Sequence, residues 1–149
     1  MEESLKDYSR FQAMEHLIPQ EEMLEVKRPK SQLIIGVPRE IPSQENRVSL
    51  VPDGVALLCS EGHQVWLEEG AGVNAHFTDH EYSEARAHII QQRQEVFRSD
   101  ILLKVSPITF EEMEWLRPRQ TLISAVQAGM QCEDYFRILL SKKIGRAHV

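Results

Sequence analysis

Five short apolar runs constrain this chain more than any other feature, because each is followed by a stretch of helix length. They lie in the expected strands over residues 33–37, 64–68, 87–90, 100–105 and 121–126. A run that is apolar at nearly every position, rather than at alternate ones, belongs to a strand buried on both faces. Strand and helix repeated in alternation imply an open parallel sheet covered on both sides. The expectation is an α/β fold: a three-layer domain with a mostly parallel sheet, its strands centred on Ile35, Val65, Ile89, Leu102 and Ile123.

The segments between the runs carry helix signals. Residues 53–60 follow Pro52, which suits a first helical turn, and Gly62 closes them. Thr78 with Glu81 three residues on forms a capping box, predicting a helix over 79–87. Further helices are expected over 92–98, over 110–116 behind Thr109, where Glu111 and Glu112 suit the helix dipole, and over 132–143, where Tyr135, Phe136, Leu139 and Leu140 share one face. Ahead of the first strand, Leu5, Tyr8, Phe11 and Leu17 recur at helical spacing until Pro19. Residues 1–31 are therefore expected to be a helical extension and residues 32–149 the domain. The extension reads equally as a docking arm for a neighbouring subunit or as a helix on its own domain.

With 149 residues, 42% of them hydrophobic, one domain with a sizeable core is expected. A net charge of -6 argues against nucleic-acid and anionic-membrane partners. The chain has no apolar run of about eighteen residues, so no membrane-spanning helix is expected. The polar, acidic start lacks the apolar core of a secretory signal. Cys59 and Cys132 stand in no metal-binding spacing, and free thiols fit a cytoplasmic location.

Two cations and one amide are the candidate ligand contacts. Arg47 lies in a polar loop beyond the carboxyl end of the first strand, where open α/β sheets bind ligands, and its planar fork suits a carboxylate. On that stretch alone an ordinary surface arginine is the commoner outcome. Lys104 ends the fourth run, and by itself reads equally as a snorkelling edge lysine. Gly70-Ala71-Gly72 leads into a polar segment with Ala75 where a dinucleotide fingerprint needs glycine, so no cofactor-binding residue is assigned. His76 and His80 are four apart, but the expected N-cap Thr78 separates them, and no metal site is assigned. His16, His63 and His88 read as isolated, exposed histidines.

Several ordered motifs together resemble one family. They are Gly36-Val37-Pro38-Arg39-Glu40, Glu45-Asn46-Arg47-Val48-Ser49-Leu50 with Pro52, Glu68-Glu69-Gly70-Ala71-Gly72, and Phe77 with Asp79 and Tyr82. The chain resembles, over residues 33–143, the N-terminal domain shared by alanine dehydrogenases and proton-translocating pyridine nucleotide transhydrogenases. The resemblance implies a Rossmann-like or flavodoxin-like catalytic domain for a small 2-oxo or 2-amino acid, pyruvate or L-alanine. It implies that Arg47 and Lys104 bind the substrate, that Lys104 assists the chemistry, and that NAD is held mainly by a second domain of a homo-oligomeric parent. Many alanine dehydrogenases carry a histidine acid–base where this chain has Gln127, and glutamine cannot exchange a proton near neutral pH, so a catalytic role for Gln127 is in doubt. The absence of a Trp-Pro pair after the fifth strand favours the dehydrogenase over the transhydrogenase alpha subunit. A non-catalytic dimerisation module is the alternative from another class, and saccharopine-type dehydrogenases are a more distant relation. In the family a strand follows Lys142-Lys143. Here Ile144-Gly145-Arg146-Ala147-His148-Val149 resembles translated sequencing adapter, or else is a natural short tail. The expectation is a C-terminally truncated domain whose sheet ends at the fifth strand.

Overall fold

The computed structural model describes residues 31–41, 45–127, 129 and 131–147. The helix expected over residues 5–17 lies outside them. All five expected strands form: β1 (Ile34–Val37), β2 (Gln64–Glu68), β3 (His88–Ile90), β4 (Ile101–Leu103) and β5 (Thr121–Ile123). The helices are α1 (Pro52–Ser60), α2 (Asp79–Glu84), α3 (Arg93–Val96), α4 (Phe110–Trp115) and α5 (Glu133–Ser141), with a 3-10 turn at Val73–Ala75.

The sheet differs from the expectation at one edge. A sixth strand, β6 (Gly145–Ala147), pairs parallel with β5, Leu122 standing opposite Arg146. Ladder hydrogen bonds come from the backbone, so three extended residues of almost any sequence can supply them. The chain reaches that edge because Lys143 takes a left-handed turn (φ 53°) after α5 and Ile144 turns into the core. The tail that reads as foreign therefore fills the position that the sequence reading leaves unpaired.

Strand order is β3-β2-β1-β4-β5-β6, and every neighbouring pair is parallel. The chain starts in the middle, moves outward to β3, and returns to lay β4 beside β1, with Ile35 opposite both Val65 and Ile101. The direction of winding thus reverses between β1 and β4. In open α/β sheets that reversal leaves a crevice beyond the carboxyl ends of the two strands.

Alternate strand residues face two separate cores. Ile35, Val37, Val65 and Leu67 join Val55 of α1 and Tyr82 of α2. Leu102 and Leu122 join Val96 of α3, Met113 of α4, and Tyr135 and Leu139 of α5. Two cores on one sheet make the three layers. Gly36 faces the second of them, and a Cβ there would stand 2.6 Å from the Val96 carbonyl oxygen, so α3 sits closer to β1 than any side chain permits.

The ends of the helices follow local chemistry. Thr78 and Thr109 both form complete capping boxes, with Glu81 and Glu112. The helix predicted to reach residue 87 stops at Glu84, because Arg86 adopts φ 74° and the Ala87 N–H turns back to the Tyr82 carbonyl at 2.9 Å. Asp100 is excluded from β4 for a similar reason, its carboxylate accepting the Ile34 N–H at 2.8 Å. His63, expected to be exposed, is half-buried, its Nδ1 facing the Leu33 N–H.

Replacing Gly36 by alanine is expected to destabilise the domain by about 1–3 kcal/mol, since the added methyl meets rigid backbone. Urea unfolding of the 149-residue chain reads this as a lower midpoint at an unchanged slope.

Candidate functional site

The crevice at the strand reversal is occupied by the protein's own charges. β1 runs into Pro38-Arg39-Glu40 and β4 into Lys104-Val105-Ser106. Glu40 is buried, and its carboxylate accepts the Val105 N–H at 2.7 Å, the Ser106 N–H at 3.4 Å and the Ser106 hydroxyl. The Lys104 side chain is wholly buried, with Nζ 3.4 Å from Glu40 and 3.2 Å from Glu112. Glu112, the capping-box residue of α4, also receives Arg93. Arg93 in turn reaches Glu68 at 3.0 Å and the Arg39 carbonyl at 2.9 Å, and Glu68 accepts the Arg39 N–H at 2.8 Å. The result is a line of alternating charges, Glu40–Lys104–Glu112–Arg93–Glu68, tying β1, β2, β4, α3 and α4 together.

Burial pushes the Glu112 carboxyl up, but Lys104, the Thr109 N–H and Arg93 outweigh it and hold it below the usual glutamate range. Burial likewise works against the Arg93 guanidinium, yet Glu112 and Glu68 keep it above its ordinary value. Glu112 and Arg93 therefore stay charged through neutral pH.

Next to this line, beyond the carboxyl ends of β4 and β5, lies an open cleft of about 630 Å³. Its walls include Arg47, Ser106, Thr109, Gln127, Gln131 and Tyr135. The loop that brings Arg47 there is tied down from two directions: the Ser49 hydroxyl donates to the Leu103 carbonyl at 3.0 Å, and the buried Tyr82 hydroxyl donates to the Leu50 carbonyl at 2.8 Å. Val48 and Leu50 pack against the first core. The Arg47 side chain itself is 76% exposed and grips Glu45 with two parallel bonds, Nε to Oε1 at 2.8 Å and Nη2 to Oε2 at 2.7 Å. These bonds hold the Glu45 carboxyl at about 2.

Of the residues singled out from the sequence, Arg47 and Gln127 meet on the same cleft. Gln127 is exposed and adopts φ 47°, a left-handed conformation that costs a residue with a Cβ free energy. Lys104 is not among the lining residues. Its chain neighbours Val105 and Ser106 are, while its own charge is already shared by two carboxylates. Sequence reasoning assigned no role to Glu40, Glu68 or Arg93, and assigned Tyr135 only to a helix face and Glu112 only to the helix dipole. Glu40 and Glu68 do stand inside the quoted motifs, which was the available signal. Arg93 carries none.

The residues at the reversal do not fit a dinucleotide pyrophosphate. The backbone N–H groups of Val105 and Ser106, which would greet a phosphate, already bind Glu40. The Gly70-Ala71-Gly72 turn offers no cradle either, because a Cβ on Gly72 would stand 2.9 Å from the Phe77 carbonyl oxygen, so the protein's own backbone closes that side. Among the described residues, no three His, Cys, Asp or Glu side chains are grouped to hold a metal, and His80 instead pairs with Glu84 at 3.8 Å.

A six-stranded parallel sheet wound in both directions, with an arginine-walled cleft beyond its carboxyl ends, defines a Rossmann-like α/β domain. Similarity to known proteins narrows the class. The family model described as "Alanine dehydrogenase/PNT, N-terminal domain" matches residues 36–146, and the chain belongs to that family. Alanine dehydrogenase from Staphylococcus saprophyticus is 38% identical over 112 residues, 75% of this chain and 30% of the relative. That from Bacillus subtilis is 38% identical over 101 residues, 68% of this chain and 27% of the relative. A solved L-alanine dehydrogenase superposes with a TM-score of 0.73 at 28% identity, covering 76% of this chain and 31% of that one. A transhydrogenase from Sinorhizobium meliloti shares the fold, with a TM-score of 0.68 at 24% identity, covering 76% and 32%. The chain thus spans about 30% of the length of the curated relatives it matches.

Lys104→Met is expected to cost about 3–5 kcal/mol, because it strands Glu40 as a buried charge without its ion-pair partner and leaves Glu112 with Arg93 alone. Glu112 has a depressed pKa, so its contribution is complete above the ordinary glutamate value, about 4.3, and is lost as pH falls through the lower folded value. Urea midpoints measured from pH 6 downward should fall on acidification, and less steeply in Glu112→Gln.

Proposed function

We propose that this chain is the substrate-binding portion of an NAD-dependent L-alanine dehydrogenase, which interconverts L-alanine, NAD and water with pyruvate, ammonia and NADH. The observation that carries the reading is the grip of Arg47 on Glu45. A carboxylate already sits in that fork with two parallel bonds, on the wall of a cleft beyond the carboxyl ends of the strands. The carboxylate of pyruvate or alanine presents the same two oxygens to the same fork. The family model covers both classes, and the named alanine dehydrogenase relatives support the dehydrogenase over the transhydrogenase.

In this reading Arg47 orients the substrate by its carboxylate. Lys104 has three donors, and Glu112 and Glu40 engage two. The third is assigned to the 2-oxo oxygen, where an N–H donor stabilises developing negative charge; because Nζ is wholly buried and off the cleft wall here, that contact requires a rearrangement that uncovers it. Because two carboxylates flank it, Lys104 serves this oxygen better than it would a second anion. Gln127 can orient the carbonyl through its amide but holds no exchangeable proton near neutral pH. The nicotinamide supplies the hydride acceptor and donor, and its binding is assigned to the portion of a longer, homo-oligomeric cytoplasmic parent that this chain does not span. The chain by itself is expected neither to bind NAD tightly nor to turn over alanine, since hydride transfer requires the ring held against the substrate carbon.

In the full-length parent, Arg47→Ala is expected to raise KM for pyruvate by at least about tenfold, and Arg47→Lys to restore only part of that, because a point charge cannot reproduce two parallel bonds. Lys104→Ala should depress kcat as well, and Gln127→Ala should cost less than either. Steady-state kinetics decide the matter: unchanged kcat/KM for pyruvate in both Arg47→Ala and Lys104→Ala overturns the site assignment.

A further inference from the structure

Among the described residues lining the cleft, one buried side-chain polar atom has no hydrogen-bond partner. Tyr135, in the first turn of α5, is 1% exposed and lines the cleft with Arg47, yet its hydroxyl has no hydrogen-bond partner among the described residues. Burial pushes the phenol up; the nearby Ile108 N–H opposes this and the Glu112 charge reinforces it, with the balance upward. The group is therefore a neutral O–H, and Ile108 N–H, itself a donor, cannot accept its proton. A buried donor without an acceptor is disfavoured, so a stated reason is needed for the hydroxyl. Core packing does not supply one. The ring is fixed edge-to-face by Phe110 at 6.1 Å and Phe136 at 5.4 Å, contacts that phenylalanine would make equally well.

We propose that the Tyr135 hydroxyl is a ligand donor of this cleft, giving its proton to an oxygen of a small 2-oxo carboxylate bound beside Arg47. The assignment rests on the substrate class given above and adds a specificity-determining residue to it. The donor is held rigid before the ligand arrives, so little ordering is lost on binding. An analogue that offers no acceptor at this point leaves the hydroxyl unpaired, and the site discriminates against it.

The test is a calorimetric titration of the 149-residue chain with pyruvate, for the unaltered protein, Tyr135→Phe and Arg47→Ala, with urea unfolding of each. Tyr135→Phe is expected to keep or raise the urea midpoint while weakening pyruvate by about tenfold. Pyruvate affinity that falls in Arg47→Ala but not in Tyr135→Phe overturns the hydroxyl's role and leaves the Arg47 reading intact. A folded, unaltered chain that takes up no pyruvate overturns both. A Tyr135→Phe chain that loses its fold shows the hydroxyl to be structural and also overturns the proposal.

Discussion

Everything at the functional end of this domain depends on one buried ammonium. Lys104 has no solvent to neutralise it and is held by Glu40 from the β1 side and Glu112 from α4. An unpaired charge at such a position would cost several kcal/mol, so each carboxylate is an obligate partner of the other elements. Glu40 then fixes the turn after β4 through the Val105 and Ser106 N–H groups, and Glu112 holds Arg93 and with it Glu68. The parallel sheet is set by apolar burial, but the positions of the loops on its carboxyl edge are set by this line of charges.

The same arrangement explains why a fold wound like a dinucleotide domain offers no dinucleotide site here. At the strand reversal, a glycine-rich turn would leave backbone N–H groups free for a pyrophosphate. This chain places Pro38-Arg39-Glu40 there and aims a carboxylate of its own at those groups. The open cleft lies to one side instead, beyond β4 and β5, where Arg47 walls it.

What the sequence disclosed, and what it did not, follows from the range of the forces involved. Strand and helix positions are dictated by neighbours in the chain, so the five apolar runs and the Thr78 box could be read directly. β6 could not, because edge pairing uses backbone groups that carry no side-chain signature. That Arg47 and Gln127 line one cleft was legible, since both follow a strand on its carboxyl side. The burial of Lys104 was not, because its partners Glu40 and Glu112 lie 64 residues before and 8 after it, and Glu112 gives the same local signal as any acidic residue in a first helical turn. Tyr135 was legible as a core residue of α5, but the missing partner of its hydroxyl is visible only in three dimensions.

The two cations of the site hold carboxylates under opposite conditions, and this divides their labour. The Arg47 side chain is 76% exposed, whereas the Glu45 side chain it grips is 13% exposed, so the guanidinium is reached from solvent. In the proposed reading a ligand carboxylate takes the place of Glu45 in the fork and remakes its two parallel bonds. Lys104 meets Glu40 and Glu112 out of solvent, where either pair is costly to break. In the proposed reading substrate leaves those partners in place. The fork captures the carboxylate at the rim, and the 2-oxo oxygen meets Lys104 only once a rearrangement uncovers its ammonium, so binding and orientation are separate events.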